Sequence, residues 1–177
     1  YLQSGALSKV TDGDLGYVNN VVWVDGYFVT TDGEFIVSTE LNNPAAVDPL
    51  KYGSSEVDPD PVMAVRKVRN QLFAVNRHTV ETFGNVGGSG FPFQVIRGGQ
   101  SQKGAVGINA SAVMGSGIAV LGGGRNEANG VYICVNGGHT KVSDQQIDDI
   151  LAEYGEGELS GAVLEVVKDR NHNTLMI

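Results

Sequence analysis

GIAVLGGGRNEANGVYICVNGGHTKVSDQQIDDILAEYG, residues 117–155, holds the pattern that decides the fold. Two short apolar runs, 118–121 and 131–135, flank a loop rich in Gly, Arg, Asn and Glu that reads as a hairpin connection. Asn136-Gly137-Gly138 is a second turn and leads into a third run, 140–142. A helix is predicted directly after it, over 143–154. Ser143 stands at the cap position with Gln146 three residues on, the spacing of a capping box. Ile147, Ile150, Leu151 and Tyr154 then recur at the i, i+3, i+4, i+7 interval and predict one buried face. Asp148, Asp149 and Glu153 fall on the wet side, and Gly155 is the expected stop. The unit is three short strands with one helix beside them.

Similar units precede and follow it. Runs at 21–24, 27–31 and 34–39 are separated by Asp25-Gly26 and Asp32-Gly33, and Asp-Gly between β-formers is a strong hairpin signal. Runs at 62–68, 71–76 and 79–83 form a second meander, with Arg69-Asn70 and Arg77-His78 at its turns, and 91–96 adds a strand. Near the end, 162–168 and 174–177 read as two strands around Asp169-Arg170-Asn171-His172-Asn173. The middle of the second strand of each unit falls at Phe28, Phe73, Ala119 and Leu175. The intervals are 45, 46 and 56 residues, and the helix accounts for the excess in the last. A period in the mid-forties with three or four short strands per unit is the spacing of propeller blades.

The expected fold is therefore all-β: consecutive antiparallel meanders with a ~45-residue period, a partial β-propeller carrying one short helix, 143–154. Its blades are placed at 17–40, 62–97, 111–143 and 162–177, within one domain or domain fragment spanning 1–177. An irregular all-β sandwich is the other fold these strands allow. Residues 41–61, LNNPAAVDPLKYGSSEVDPDP, contain four of the five prolines and read as a long loop. Such a loop in a compact domain commonly makes a contact surface. Tyr1 is no initiator residue and 175–177 end inside a predicted strand, so a piece of a longer polypeptide is expected.

Composition narrows the function. The 25 glycines lie between apolar runs, where turns need positive φ, without a collagen-like period. A net charge of −8 and a pI near 4.7 oppose nucleic-acid binding, which needs a basic groove. Arg66, Lys67 and Arg69 are the densest basic cluster and read as an exposed strand face. No run of 18 apolar residues exists, so no membrane-spanning helix is expected.

No group stands out as a reaction centre. Cys134, the single cysteine, lies in VYICV and reads as an inert buried thiol with no disulfide partner. His78 sits at a turn with no second His or Cys beside it, so no metal site is expected there. Asp48, Glu56, Asp58 and Asp60 lack the alternation and bend glycine of a calcium loop. Gly87, Gly88 and Gly90 precede neither a helix nor the Lys-Ser/Thr pair of a phosphate loop. A glycosidase would need two carboxylates about 5–9 Å apart, whereas the carboxylates placed here sit in turns. Arg97 and Arg125 are the other loop arginines of note, and Trp23 lies in a buried-looking strand rather than among several exposed aromatics. No catalytic, cofactor-binding or metal-binding residue is assigned, no cofactor is implied, and the chain is not expected to be an enzyme.

Four stretches taken in order carry a family resemblance: DGDLGYVNNVVWVDGYFVTTDG, LNNP…VDPLKYGSSEVDPDPV, LFAVNRHTVETFGNVGGSGFPF and HTKVSDQQIDDILAEY. Together the chain resembles the packaged DNA stabilisation proteins, the tail hub or head-completion proteins, of short-tailed phages and prophages. The resemblance covers roughly Asp12 to Val167. It implies an internal fragment of a longer virion protein, assembled in the bacterial host cytoplasm and resident in the tail. That protein would close the portal and retain packaged DNA through contacts with portal-adaptor and tail-needle or tail proteins, and would self-associate into a ring. No specific nucleic-acid binding is implied, and an acidic lumen would let DNA pass without sticking. A free-standing propeller module that binds a glycan or peptide is the alternative function, and a propeller hydrolase a third.

Overall fold

The computed structural model describes every residue except Tyr1, Ser4, Glu56, Val57 and Asn171, together with the side chains of Leu2 and Gln3. A small hairpin, β1 (Leu2–Gln3) and β2 (Ala6–Leu7), opens the chain, and a 3-10 turn at Gly13–Leu15 follows. Three four-stranded antiparallel sheets come next. The first is β3 (Val21–Val24), β4 (Tyr27–Thr31), β5 (Ile36–Glu40) and β6 (Asn43–Gly53). The second is β7 (Val62–Val68), β8 (Gln71–Asn76), β9 (Val80–Asn85) and β10 (Phe93–Ser101). The third is β11 (Ser111–Met114), β12 (Gly117–Gly122), β13 (Gly130–Val135) and β14 (Gly138–Lys141). Two helices, α1 (Gln145–Glu153) and α2 (Glu156–Leu159), lead to a last hairpin of β15 (Glu165–Asp169) and β16 (His172–Met176).

Each sheet is a simple meander because its turns are locally encoded. Asp25 and Gly26 both adopt positive φ between β3 and β4, and Asn136 and Gly137 do the same between β13 and β14. Gly137 has a second reason to be glycine, since a Cβ there would strike the carbonyl oxygen of Gly98 on the second sheet. The 45-residue period is visible in the register. Phe28 pairs with Trp23, Phe73 with Arg66, Ala119 with Ala112 and Leu175 with Val166, so each lies opposite the first strand of its own sheet.

The sheets stack face to face. β7 lies against both β3 and β11, and β15 lies beside β11, so the first strands follow one another in chain order. β8 shows the consequence of strand alternation. Leu72 and Ala74 pack into one apolar cluster with Val24, Val29 and Ile36 of the first sheet. Phe73 and Val75 face the other way, into a cluster with Ile118, Val120 and Leu121 of the third. A sheet buried on both faces explains why β8 and β12 read as unbroken apolar runs. Backbone bonds tie the units as well: Val62 donates to the Gly33 carbonyl, Ala105 to Asn76 and Leu164 to Asn109, each at 2.9 Å.

Several expectations need correction. Residues 41–61 are not all loop, because β6 occupies Asn43–Gly53 as the outer strand of the first sheet. Its prolines are tolerated because β6 has a strand on one side only, and Pro44 and Pro49 fall where its register with β5 slips. β10 likewise runs on to Ser101, with a bulge between Val95 and Gln100, beyond the strand expected at 91–96. The single helix is two. Asp144, not Ser143, caps α1 by accepting a 3.0 Å bond from the Ile147 N–H. Ser143 lies between β14 and α1, where its Oγ accepts from Val131 N–H at 3.1 Å and donates to Asp148 at 2.6 Å. Gly155 does not stop α1 in a left-handed conformation; at φ −70° it begins α2.

Candidate interaction surfaces

Three sets of side chains stand out in this arrangement. The first lies on the innermost strands. Arg66 was expected on an exposed face, yet it is half-buried, with its guanidinium turned to the third sheet. Its guanidinium donates to the carbonyls of Ser111 at 3.1 Å and Ile108 at 3.3 Å. That burial pulls its pKa below the usual arginine value. The neighbouring side chain on β7, Lys67, points toward the first sheet and sits 4.8 Å over the Trp23 ring. Asn20 joins the same sheets, its side chain bonding both the N–H and the carbonyl of Val65. Trp23 itself is half exposed, contrary to the buried position expected of it. Arg69 is exposed at the β7–β8 turn.

The second set is a polar belt beside the β8–β9 turn. Arg125 pairs with Asp58 at 2.7 Å, and Arg77 with Glu156 at 2.7 Å. Asp60 accepts from the backbone N–H of His78 at 2.5 Å, and burial raises its carboxyl above the usual aspartate value. His78 is half-buried. The fully buried Asn76 amide donates to Ser55 at 2.6 Å and Thr79 at 2.8 Å. Lys103, buried and 4.8 Å over the Tyr132 ring, pairs with Glu127. The Lys103 hydrogen bond and then the Gly124 N–H hold the Glu127 carboxyl below its usual range. Nothing in the local sequence marked Lys103, which stands among glycines and glutamines.

The remaining candidates do not converge. Asp48 is half-buried and accepts from the Leu50 N–H at 2.9 Å; Glu56 lies outside the described residues. Among the described residues no group of three or more His, Cys, Asp or Glu side chains is gathered for a metal ion. Gly87 and Gly88 form the β9–β10 loop, where the Val86 and Gly87 N–H groups donate to the Pro92 carbonyl. Arg97 is exposed on β10. Cys134 is buried on β13, and burial pushes its thiol pKa up, away from a reactive thiolate.

The third set is the helical segment. Leu151 and Leu159 reach the core shared by the second and third sheets. Ile147, Ile150 and Tyr154 were expected to be buried with Leu151, and they are not; they are 38%, 55% and 52% exposed. A trough of about 350 Å³ runs along them.

A family model described as bacteriophage P22 Gp10, β-propeller, matches residues 1–177. The chain belongs to this phage stabilisation family. The family consists of structural phage proteins that stabilise packaged DNA, and its β-propeller fold agrees with the stacked four-stranded meanders described above. No curated protein matches the chain. Among the described residues, no helix of this family member is long and apolar enough to cross a membrane.

Proposed function

We propose that this chain acts in the phage tail as a head-completion component, helping to close the portal and retain DNA through protein–protein contacts. The observation that carries the reading is the family match along all of residues 1–177. Its partners on this reading are portal-adaptor and tail-needle or tail proteins, with copies of itself arranged in a ring. The arrangement of charge supports contact with proteins rather than with phosphates. Arg66 and Lys67 face neighbouring sheets, and Arg77, Lys103 and Arg125 are each held by a carboxylate, so no basic groove forms among them.

The test is to assemble phage particles without the protein and follow nuclease access to the packaged genome. Expected is DNA leakage that added full-length protein reverses, together with a label on the protein at the tail vertex. Particles that hold their DNA equally well without it would sink the reading. A gel shift of the purified chain on duplex DNA at low salt is expected to show no complex.

A further inference from the structure

The connection from the first sheet to the second is fastened onto the β8–β9 turn by three hydrogen bonds. Ser55 Oγ accepts from the Asn76 amide at 2.6 Å, the Pro61 carbonyl accepts from Arg77 N–H at 3.0 Å, and Asp60 Oδ2 accepts from His78 N–H at 2.5 Å. Only the last of these uses a group that titrates. The third sheet reaches the same place, because Asp58, two residues before Asp60, pairs with Arg125 of the β12–β13 loop. Arg125 is thereby committed to Asp58, and Arg77 of the turn is committed to Glu156 of α2. Among the described residues, no ion pair reaches Asp60. It is a half-buried carboxyl with a like charge close by and no cation of its own. Burial is the main cause that raises its pKa, and the Asp58 charge adds to the rise. The His78 N–H, the His78 ring and Arg125 oppose it.

We propose that Asp60 is a proton-controlled fastener, which holds the first-to-second connection on the β8–β9 turn while protonated and releases the His78 end of that turn when it ionises. Oδ2 faces the His78 N–H, which leaves Oδ1 to carry the proton in the fastened state. Ionisation sets two carboxylates within one Asp-Pro-Asp step around a single arginine. The second charge is better solvated in water than at the turn. The fastening is therefore fully present below the ordinary aspartate value and is lost as pH rises through the higher folded value. Release is local, since the Ser55–Asn76 and Pro61–Arg77 bonds contain no group that changes charge there.

The inference goes beyond the tail reading and does not depend on it. Its test is a carboxyl-carbon NMR titration of the full chain, run beside hydrogen exchange of the His78 amide corrected for the intrinsic rate at each pH. Asp60 is expected to titrate above the ordinary aspartate range. Protection of the His78 amide should fall by about tenfold per pH unit between the ordinary and the folded value, while the amides of β12 keep theirs. Asp60→Asn retains an acceptor but cannot ionise, so its His78 protection should no longer vary with pH. Arg125→Gln takes the cation from the Asp58–Asp60 pair and should move the Asp60 titration upward, which a merely structural side chain would not do. Unchanged amide signals away from the turn would show that each variant folds. If Asp60→Asn does not fold, the parent and Arg125→Gln titrations decide. The proposal is overturned by an Asp60 titration at or below the ordinary value, or by a His78 amide indifferent to that titration. The same pH dependence in Asp60→Asn, or no movement in Arg125→Gln, would also overturn it. So would a fall in protection shared by β12, since the whole fold rather than the fastener would then be responding.

Discussion

β12 and α1 lie fewer than 30 residues apart and are both apolar at regular spacing, yet they meet opposite fates. Every residue of β12 is buried, because the second sheet covers one of its faces and the elements after β14 help to cover the other. On α1 only Leu151 is buried, and three side chains of the same stripe remain in water. Periodicity states which side chains share a face. It does not state that anything covers that face.

The comparison can be broken most severely in the core. Leu121→Ala removes a fully buried side chain from the core that the second and third sheets share and should lower unfolding free energy by about 2–5 kcal/mol, measured by urea denaturation. A loss below about 1 kcal/mol would mean that the sheets are not closely packed there. Arg66→Ala is the next largest, at about 1.5–3 kcal/mol, because the carbonyls of Ser111 and Ile108 lose charged donors inside the sheet interface. Arg66→Lys should restore little of it, since one ammonium group cannot reproduce the fork.

On the helix, Ile150→Gln should change stability by no more than about 0.5 kcal/mol, in contrast to any apolar position of β12. A loss of about 2 kcal/mol would show that the stripe is covered in the folded protein after all.

The smallest effects are those of pH, and they run in opposite directions in two carboxylates. Burial raises the Asp60 carboxyl, so its contribution is fully present below the ordinary aspartate value and is lost as pH rises through the folded value. Asp60→Asn should therefore stabilise the chain near neutral pH, by less than about 1 kcal/mol, and have no effect in acid. Lys103 lowers the Glu127 carboxyl, so its contribution is present above the ordinary glutamate value and is lost as pH falls through the folded value. Glu127→Gln should reduce melting temperature at neutral pH and converge with the parent chain in acid. Parallel pH profiles for the two variants would contradict both assignments.

Much of the fold was legible because it is written in neighbouring residues. Asp25-Gly26 and Asn136-Gly137 set their hairpins through backbone conformations that few other residues adopt. The strand at 21–24 and the spacing of Phe28, Phe73 and Ala119 follow from short apolar runs between such turns. The functional surfaces were less legible. Lys103 has no local signature, and Ser143 and Asp144 are both good caps by composition. Their roles were separated by the Val131 N–H, which donates to the Ser143 hydroxyl and so ties Ser143 to β13.

The sequence by itself determined the meanders, their period, the phase of the α1 stripe and the family, all of which rest on local preference and residue order. The tertiary structure alone decided what each face meets. Pro44 and Pro49 enter a strand because β6 is outermost, Arg66 is half-buried because the Ser111 carbonyl of β11 meets it, and Ile150 is exposed because no described element covers it. The physical reason is the same in each case. Burial depends on a surface supplied by another part of the chain, as Ser111 is to Arg66 across 45 residues, and no window of local sequence contains both sides of that contact.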